Sequence, residues 1–521
     1  MGDKRHASGQ HRATEVTGGR LRAVLVVMSM CVVLVVGANA ALTVALPTIA
    51  RSLSATQADL TWIISGYVLT FAAVLLISGT VADKFGRRLV MLLGILVFGF
   101  ASLASAWSVQ PETLIALRAV AGLGAAAVFP VTLSVLVDVY PEHRRGYAIG
   151  VWATVGGTAA MIGLVVSGLL LEFFWWGSVQ VFFGVAALVL VPALTVLVPS
   201  AGNGALPLDP LGALLSLVGL GALVFAVIEG PETGWDVPRT LLSGALGVSA
   251  LVAFVVWELR SSAPLLDVRL FRDRNLTAGC MLIWLQFFAA QGFFLLAPQY
   301  LQSVLTSGPL EAALSLLPLG VGIAPTAALA PRLVARWGAH VAGALGLLIL
   351  TASLVALGFV DAGAHFWQFA AALVVFGFGS GLALMPGTAL IMAGLPADRR
   401  TLASALNDVV REVGAALGGA VLGTVLLVRY RDQLAPALRD APAQVADAAN
   451  SGIAAAVALT QEMGPPGGPL LEAARDAFTA GYQLALWSGA AVLVVGALAC
   501  IVLARPSAAR VPAPASPTPV P

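Results

Sequence analysis

The chain has 521 residues, of which 59% are hydrophobic and 10% charged, with a formal net charge of +2. Soluble domains carry roughly 25% charged residues, so most of this surface cannot lie in water. The small net charge gives no basic field for nucleic acid. The three cysteines, Cys31, Cys280 and Cys500, sit in apolar runs without metal-ligand spacing and read as small core residues.

A basic segment with Lys4, Arg5, Arg12, Arg20 and Arg22 precedes the first apolar run, Ala23 to Ala45. That run is longer than a signal-peptide core of about 7–15 residues, so it reads as a retained span. A bilayer core of roughly 30 Å needs about 20 apolar residues per helix. Cutting at charges, prolines and glycine clusters gives fourteen spans in chain order: 23–45, 60–81, 89–107, 113–139, 148–171, 179–198, 210–228, 241–257, 276–300, 311–334, 341–359, 366–393, 402–428 and 478–504. Residues 429–477, rich in Ala, Asp and Pro, read as a long outer loop with short surface helices. The Pro/Ala/Ser-rich tail 505–521 reads as disordered. The expected fold class is an all-α polytopic membrane protein.

With the N-terminus inside, the inner loops collect Lys84, Arg87, Arg88, Arg144, Arg145, Arg260, Arg269, Arg272, Arg274, Arg332, Arg336, Arg399 and Arg400. The outer loops hold Arg51, Arg239, Arg429, Arg431, Arg439 and Arg475. This asymmetry follows the positive-inside rule and puts both termini in the cytoplasm, as an even number of spans requires. The chain also echoes itself at an offset of about 250 residues. Gly79-Thr-Val-Ala-Asp-Lys-Phe-Gly86 answers Pro331-Arg-Leu-Val-Ala-Arg-Trp-Gly338, and Gly163 and Gly168 answer Gly418 and Gly423. The expected organisation is a basic tail (1–22), a six-helix half (23–198), an inserted helix pair (199–262), a second six-helix half (263–504) and the tail (505–521). Repeated halves are the mark of alternating-access carriers, whose site lies between them near the midplane.

The stretch Gly79-Thr-Val-Ala-Asp83-Lys-Phe-Gly86-Arg87-Arg88 resembles the signature loop between helices 2 and 3 of the major facilitator superfamily. The resemblance implies a conformational latch with Asp138, at the inner end of span 4, as its acidic partner. A larger set of matches resembles the family's fourteen-span drug:proton antiporters of bacteria. It includes Val44-Ala-Leu-Pro47, Trp62, Tyr67, Arg118 with Gly122, Leu170 to Ser178, Glu229 to Trp235, Gln299-Tyr-Leu-Gln302, Leu317-Pro318 and Ser404 to Gly414. It covers residues from about 25 to 504 and implies the major facilitator fold and a multidrug, antiseptic or antibiotic exporter of the plasma membrane. Three positions depart from the family pattern. Ala38, beside Asn39, stands where helix 1 usually carries Asp, and Ala121 stands where Gln is common. The helix 5 antiporter motif reads Gly163-Leu-Val-Val-Ser167-Gly168 and lacks its proline at Leu164.

A charge at mid-bilayer costs roughly 2.5–3.5 kcal/mol on insertion scales, so each one needs a reason. Arg118 lies in span 4, while Asp408, Arg411 and Glu412 lie roughly 9–15 Å into span 13 at 1.5 Å per residue. The i,i+3 spacing pairs Asp408 with Arg411 and leaves Glu412 without a local partner of its own. Glu412, Asp408, Arg411 and Arg118 are therefore the candidates for proton coupling, alongside purely structural ion pairing. The expected cavity offers Asn39, Trp62, Tyr67, Phe129, Gln286, Gln291, Phe294 and Gln299, a surface of aromatic faces and uncharged hydrogen-bonding groups suited to amphiphilic molecules. Each aromatic has the alternative of facing lipid or core.

An ATP-driven pump requires a phosphate loop ending in Gly-Lys-Ser/Thr. The only lysines, Lys4 and Lys84, are followed by Arg5 and Phe85. The histidines His6, His11, His143, His340 and His365 fall in the N-terminal tail or at loop edges, unsuited to intramembrane zinc or haem chemistry. The expectation is a non-enzymatic, cofactor-free monomer in the bilayer that exchanges a small amphiphilic drug or antibiotic for protons. The alternative is a facilitated or proton-coupled exporter of an endogenous lipid or secondary metabolite, and a polytopic enzyme is the remote one.

Overall fold

The structure is a computed structural model that describes residues 18–200, 209–262, 264, 266, 268–360, 366–394 and 400–503. The two tails expected at 1–22 and 505–521 lie wholly or mostly outside these residues. Among the described residues there is no β-strand, and the helices are α1 (Gly18–Leu53), α2 (Gln57–Phe85), α3 (Arg87–Ser105), α4 (Pro111–Val139), α5 (Glu142–Phe173), α6 (Gly177–Leu197), α7 (Pro210–Thr233), α8 (Pro238–Arg260) and α9 (Arg274–Gln299). After a π-helical turn at Tyr300–Val304 come α10 (Pro309–Ser315), α11 (Pro318–Ile323), α12 (Thr326–Trp337), α13 (Ala339–Gly358), α14 (Phe366–Ala393), α15 (Arg400–Leu434), α16 (Ala443–Asn450), α17 (Ile453–Met463) and α18 (Gly468–Leu503).

Local chemistry marks the starts of these helices. Thr56 and Asp59 form a reciprocal capping box at α2, and the Asp209 and Asp273 carboxylates accept the Gly212 and Leu276 amides at α7 and α9. Gly86 and Gly338 have φ of 98° and 82°, a region that favours glycine, and each joins two helices with almost no loop.

Twelve helices among the described residues are long and apolar enough to cross a membrane. Two of the expected spans are absent from the twelve. The one at 148–171 falls within α5, a continuous 32-residue helix of which Thr158–Phe173 forms a shorter apolar stretch. The one expected at 311–334 is broken into α10, α11 and α12. Pro309 and Pro318 start the first two pieces and Pro325 caps the third. Proline has no N–H and clashes with the preceding turn, so this largely apolar run is not one helix. The expected outer loop 429–477 does carry short helices, α16 and α17, but they are not confined to the surface: Ala449, Ile453 and Ala456 join the main buried cluster. The Tyr430 hydroxyl donates to the Ala449 carbonyl and the Gln57 amide to that of Ser451, so the segment is packed onto the ends of α15 and α2.

Packing repeats along the chain. α1 lies on α5 as α9 lies on α15, α2 on α4 as α11 on α14, and α3 on α4 and α6 as α13 on α14 and α18. The two groups meet where α2 packs on α15 and α5 on α10. Glycine makes the close approaches: Gly163 touches the Gly37 backbone on α1, and Gly418 the Phe288 backbone on α9. Lipid tails are as apolar as leucine, so membrane helices associate through such small-residue contacts rather than by escape from water.

The end of the bundle where α1 begins and α18 finishes is called the terminal end here, and the opposite end distal. At the distal end one core cluster runs from Leu42, Ile49 and Ile64 of the first group into Phe293, Leu426 and Phe478 of the second. Gln302 also donates across the groups to the Val44 carbonyl at 2.8 Å. The groups are thus sealed together distally. The α7–α8 hairpin lies outside them, with α7 against both α2 and α15, where Thr424 donates to the Val227 carbonyl.

Candidate functional site

Arg118 on α4 is fully buried. Its Nη2 donates to Asn39 Oδ1 at 2.9 Å and its Nε to the Ile63 carbonyl at 3.3 Å, while Nη1 has no partner. The guanidinium lies 4.2 Å from the Tyr67 ring centre, and the Tyr67 hydroxyl donates to the Val35 carbonyl. A buried cation is thus held by neutral oxygens and the negative face of an aromatic ring. One turn further along α4, a side chain on Gly122 would meet Thr70 and the Tyr67 backbone, so α4 presses Arg118 directly onto α2.

The second charged group is on α15. Arg411 Nη1 lies 3.5 Å from Asp408 Oδ1, the contact the i,i+3 spacing anticipates. Its Nε donates to Glu412 Oε1 at 3.1 Å, however, so Glu412 has a local partner after all. A guanidinium carries five N–H donors in a planar fork and serves two carboxylates at once. Asp408 and Glu412 side chains are only 14% and 16% exposed. The guanidinium also rests 5.3 Å from the Phe129 ring on α4 and 5.4 Å from the Phe287 ring on α9. Arg411 therefore touches both helix groups. The two charged groups are joined through aromatic rings, since Phe129 beside Arg411 packs on Phe71, which stacks on the Tyr67 ring that carries Arg118.

The expected cavity residues divide. Asn39, Tyr67 and Phe129 are part of the charged constellation, and Phe129 also packs against Phe71 and Trp152. Gln291 on α9 and Ser65 on α2 both approach Gly419 of α15, and Gln291 Nε2 is buried without a partner. Trp62 instead packs against Phe225 of the α7 hairpin. Phe294 packs edge-on against Phe293. Gln299 is buried and donates to the Leu295 carbonyl within its own helix. Gln286 is buried with Oε1 unpartnered, about 100° round α9 from the Phe287 face that meets Arg411. Phe287 itself has no distinguishing signal in the sequence. Ser167 is buried with its hydroxyl unpartnered, beside Gly168, which abuts Leu310 and Ala313 of α10.

At the terminal end, Gly86 makes the α2–α3 turn. Arg87 pairs with Asp138 at the end of α4, and Arg88 Nε donates to the Val198 carbonyl beyond α6 at 2.7 Å. Gly79 faces open space. The Asp83 side chain lies outside the described residues. Gly338 repeats the Gly86 turn: each amide donates to the carbonyl four residues back, to Val334 and Ala82 respectively.

Residues 28–419 match the Major Facilitator Superfamily. The chain belongs to that family. Among relatives of this major facilitator protein, the methyl viologen resistance protein SmvA of Salmonella typhimurium is 33% identical over 459 residues, covering 87% of this chain and 92% of the relative. The multidrug resistance protein Stp of Mycobacterium tuberculosis is 35% identical over 405 residues, 76% and 74% of the two chains. The tetracenomycin C resistance and export protein of Streptomyces glaucescens is 30% identical over 495 residues, 92% and 91%. In fold, the chain is similar to an inward-facing bacterial homologue of the human lysosomal transporter Spinster, with a TM-score of 0.63 at 15% identity over 94% and 97% of the chains. As a major facilitator protein it is a multi-pass membrane transporter. Its buried Ala38, where an Asp was the expectation from the family, leaves Arg118 facing Asn39 rather than an acid on α1.

Proposed function

We propose that this transporter exports small amphiphilic drugs or antibiotics by proton antiport, through alternating access and as a monomer. The observation that carries the reading is Arg411 holding both Asp408 and Glu412 while lying against Phe129 of the other helix group. With both carboxylates ionised, Arg118, Arg411, Asp408 and Glu412 sum to zero, and one added proton makes the set positive. Proton and cationic drug then oppose each other at one place, which is what exchange requires. The names of the relatives, all of them resistance proteins, support the substrate class.

The test is an inverted membrane vesicle with an acidic lumen, to which methyl viologen and a panel of lipophilic antibiotics are added. Substrate addition is expected to release lumenal protons only when the transporter is present. Uptake of substrate that never moves protons would favour the second reading, a facilitated carrier of an endogenous lipid or metabolite, which Ala38 and the missing helix 5 proline support.

The same reading counts α5 and the broken α10–α12 run as crossings, giving fourteen, with the terminal end in the cytoplasm. Tags at both termini should then be reached only from the cytoplasm, and a tag at Pro465 only from outside. A C-terminal tag reached from outside a sealed cell would overturn the span count.

In this reading the α2–α3 turn is a latch on the terminal end. Asp138→Asn or Arg88→Ala is expected to slow transport per molecule severalfold while abundance stays near normal. The half-exposed Arg87–Asp138 pair contributes about 0–1 kcal/mol and the single Arg88–Val198 hydrogen bond about 1.5–3 kcal/mol, too little to unfold the bundle. Loss of the protein from the membrane, with unchanged turnover per molecule, would make the turn a folding element instead.

A further inference from the structure

A cavity of about 950 Å³ lies away from the charged constellation, in a groove whose back is α1 and whose sides are α5 and α6. Its lining is apolar along most of its length, with Val155, Ile162 and Val166 from α5, Met30 and Val33 from α1, and Phe182 from α6. Several of these side chains are open to the surroundings, Met30 at 46% and Ile162 at 42% exposure. The α5 wall from Arg144 to Val166 is about 33 Å long at 1.5 Å per residue, close to the roughly 30 Å of a bilayer core. The α1 wall from Arg22 to Leu34 is about 18 Å, more than one leaflet's share.

The groove is not the cleft between the helix groups. On α5, Met161 and Gly168 face α11 and α10 of the second group. Residues 155, 162 and 166 lie about 110–150° round the helix from that face, on the outside of the bundle. Its floor is fixed by the close α1–α5 contact of Gly37 and Gly163.

The polar groups are gathered at one end. Arg22 and Arg144 line the groove at the terminal end, both exposed, and Tyr140 between them donates its hydroxyl to the Leu21 carbonyl. Neither guanidinium has an ion-pair or hydrogen-bond partner among the described residues. Ser29, one turn or two deeper, has a buried hydroxyl without a partner. An apolar channel about as long as a bilayer core is thick, ending in two guanidinium groups that have no partner among the described residues, complements one kind of molecule: an acyl chain with a phosphate at its head.

We infer that this groove holds an anionic phospholipid of the surrounding bilayer, its phosphate between Arg22 and Arg144 and one acyl chain along α5. The occupant is a resident lipid and not the transported drug, because the groove opens outside the bundle and away from Arg411. The inference does not depend on the transport reading.

The test uses the purified full chain, stripped of lipid, with phosphatidylglycerol or phosphatidylcholine of the same acyl chains, followed by native mass spectrometry. The wild type is expected to retain phosphatidylglycerol in preference. Replacing both Arg22 and Arg144 by Ala should weaken that binding about 30-fold, roughly fivefold per arginine, and leave phosphatidylcholine unchanged. Met30→Trp and Ile162→Trp, at exposed lining positions that should tolerate a larger ring, fill the channel and should reduce retention of both lipids. Equal retention of the two lipids by the wild type would overturn the inference. So would unchanged phosphatidylglycerol binding in both tryptophan variants, which would leave only adsorption of headgroups at the arginines. One-for-one displacement of the lipid by a transported drug would assign the groove to the substrate path instead.

Discussion

Glu412→Gln is expected to reduce export driven by a pH gradient to the rate of vesicles without the protein, while an uncharged substrate still binds with near-native affinity. Glutamine keeps the shape of the side chain and a carbonyl oxygen that accepts from Arg411 Nε, the bond now made by Glu412 Oε1 at 3.1 Å. Packing against Phe129 and Phe287 should therefore survive. What is lost is titration. The amide fixes the four-charge set in its protonated sum, so the site no longer distinguishes a loaded from an unloaded proton. A cationic substrate should bind more weakly to this variant than to the wild type, since the set now carries a lasting positive charge.

Asp408→Asn is the informative companion. Asp408 sits farther from the guanidinium, at 3.5 Å against 3.1 Å for Glu412. Its substitution should slow gradient-driven export less than Glu412→Gln. Both variants need efflux under an imposed gradient and equilibrium binding measured side by side. If Glu412→Gln exports as fast as the wild type under the same gradient, the proton route bypasses this residue, and a carrier without coupling becomes the better account.

The membrane class and most of the helices were legible because hydropathy and loop charge act locally along the chain. The repeat was legible for the same reason: Gly86 and Gly338 each occupy a turn that few other residues adopt, so the sequence carries the mark twice. The break in the span at 311–334 was written in Pro318 and Pro325, but a largely apolar run hid it from a reading based on hydropathy. The helices between 435 and 467 were harder still. An alanine-rich helix looks alike whether it lies on a surface or, as with Ala449 and Ala456, is buried. At the site, the Asp408–Arg411 contact follows from helical spacing. The closer Arg411–Glu412 contact does not, because neighbours in a helix point about 100° apart and meet only through the reach of a long side chain. Arg118 shows the limit most clearly. Asn39, Ile63 and Tyr67 come from two other helices, so nothing along α4 announces them.

Gly163→Ala and Gly418→Ala are each expected to lower the apparent Tm of the detergent-solubilised protein by several degrees, whereas Gly79→Ala should leave it unchanged. A methyl group on Gly163 would run into the backbone carbonyl of Gly37, and one on Gly418 into that of Phe288. Backbone cannot turn aside as a side-chain tip can, so the helices must separate. Overpacking of this kind costs about 1–3 kcal/mol, and a membrane bundle has no hydrophobic escape from water between its helices to offset it. Gly79 has nothing within contact distance and serves as the control for the Gly-to-Ala change itself. The two sites should behave alike because they are the same contact in the two repeats, α1 on α5 and α9 on α15. Gly163→Ala carries a second consequence. Asn39 stands two residues from Gly37 on α1 and accepts the 2.9 Å bond from Arg118. Moving α1 off α5 by a fraction of an ångström disturbs that bond, so transport per folded molecule should fall as well. A Gly163→Ala protein that matches the wild type in both Tm and turnover would mean that α1 and α5 do not approach through these glycines in the membrane.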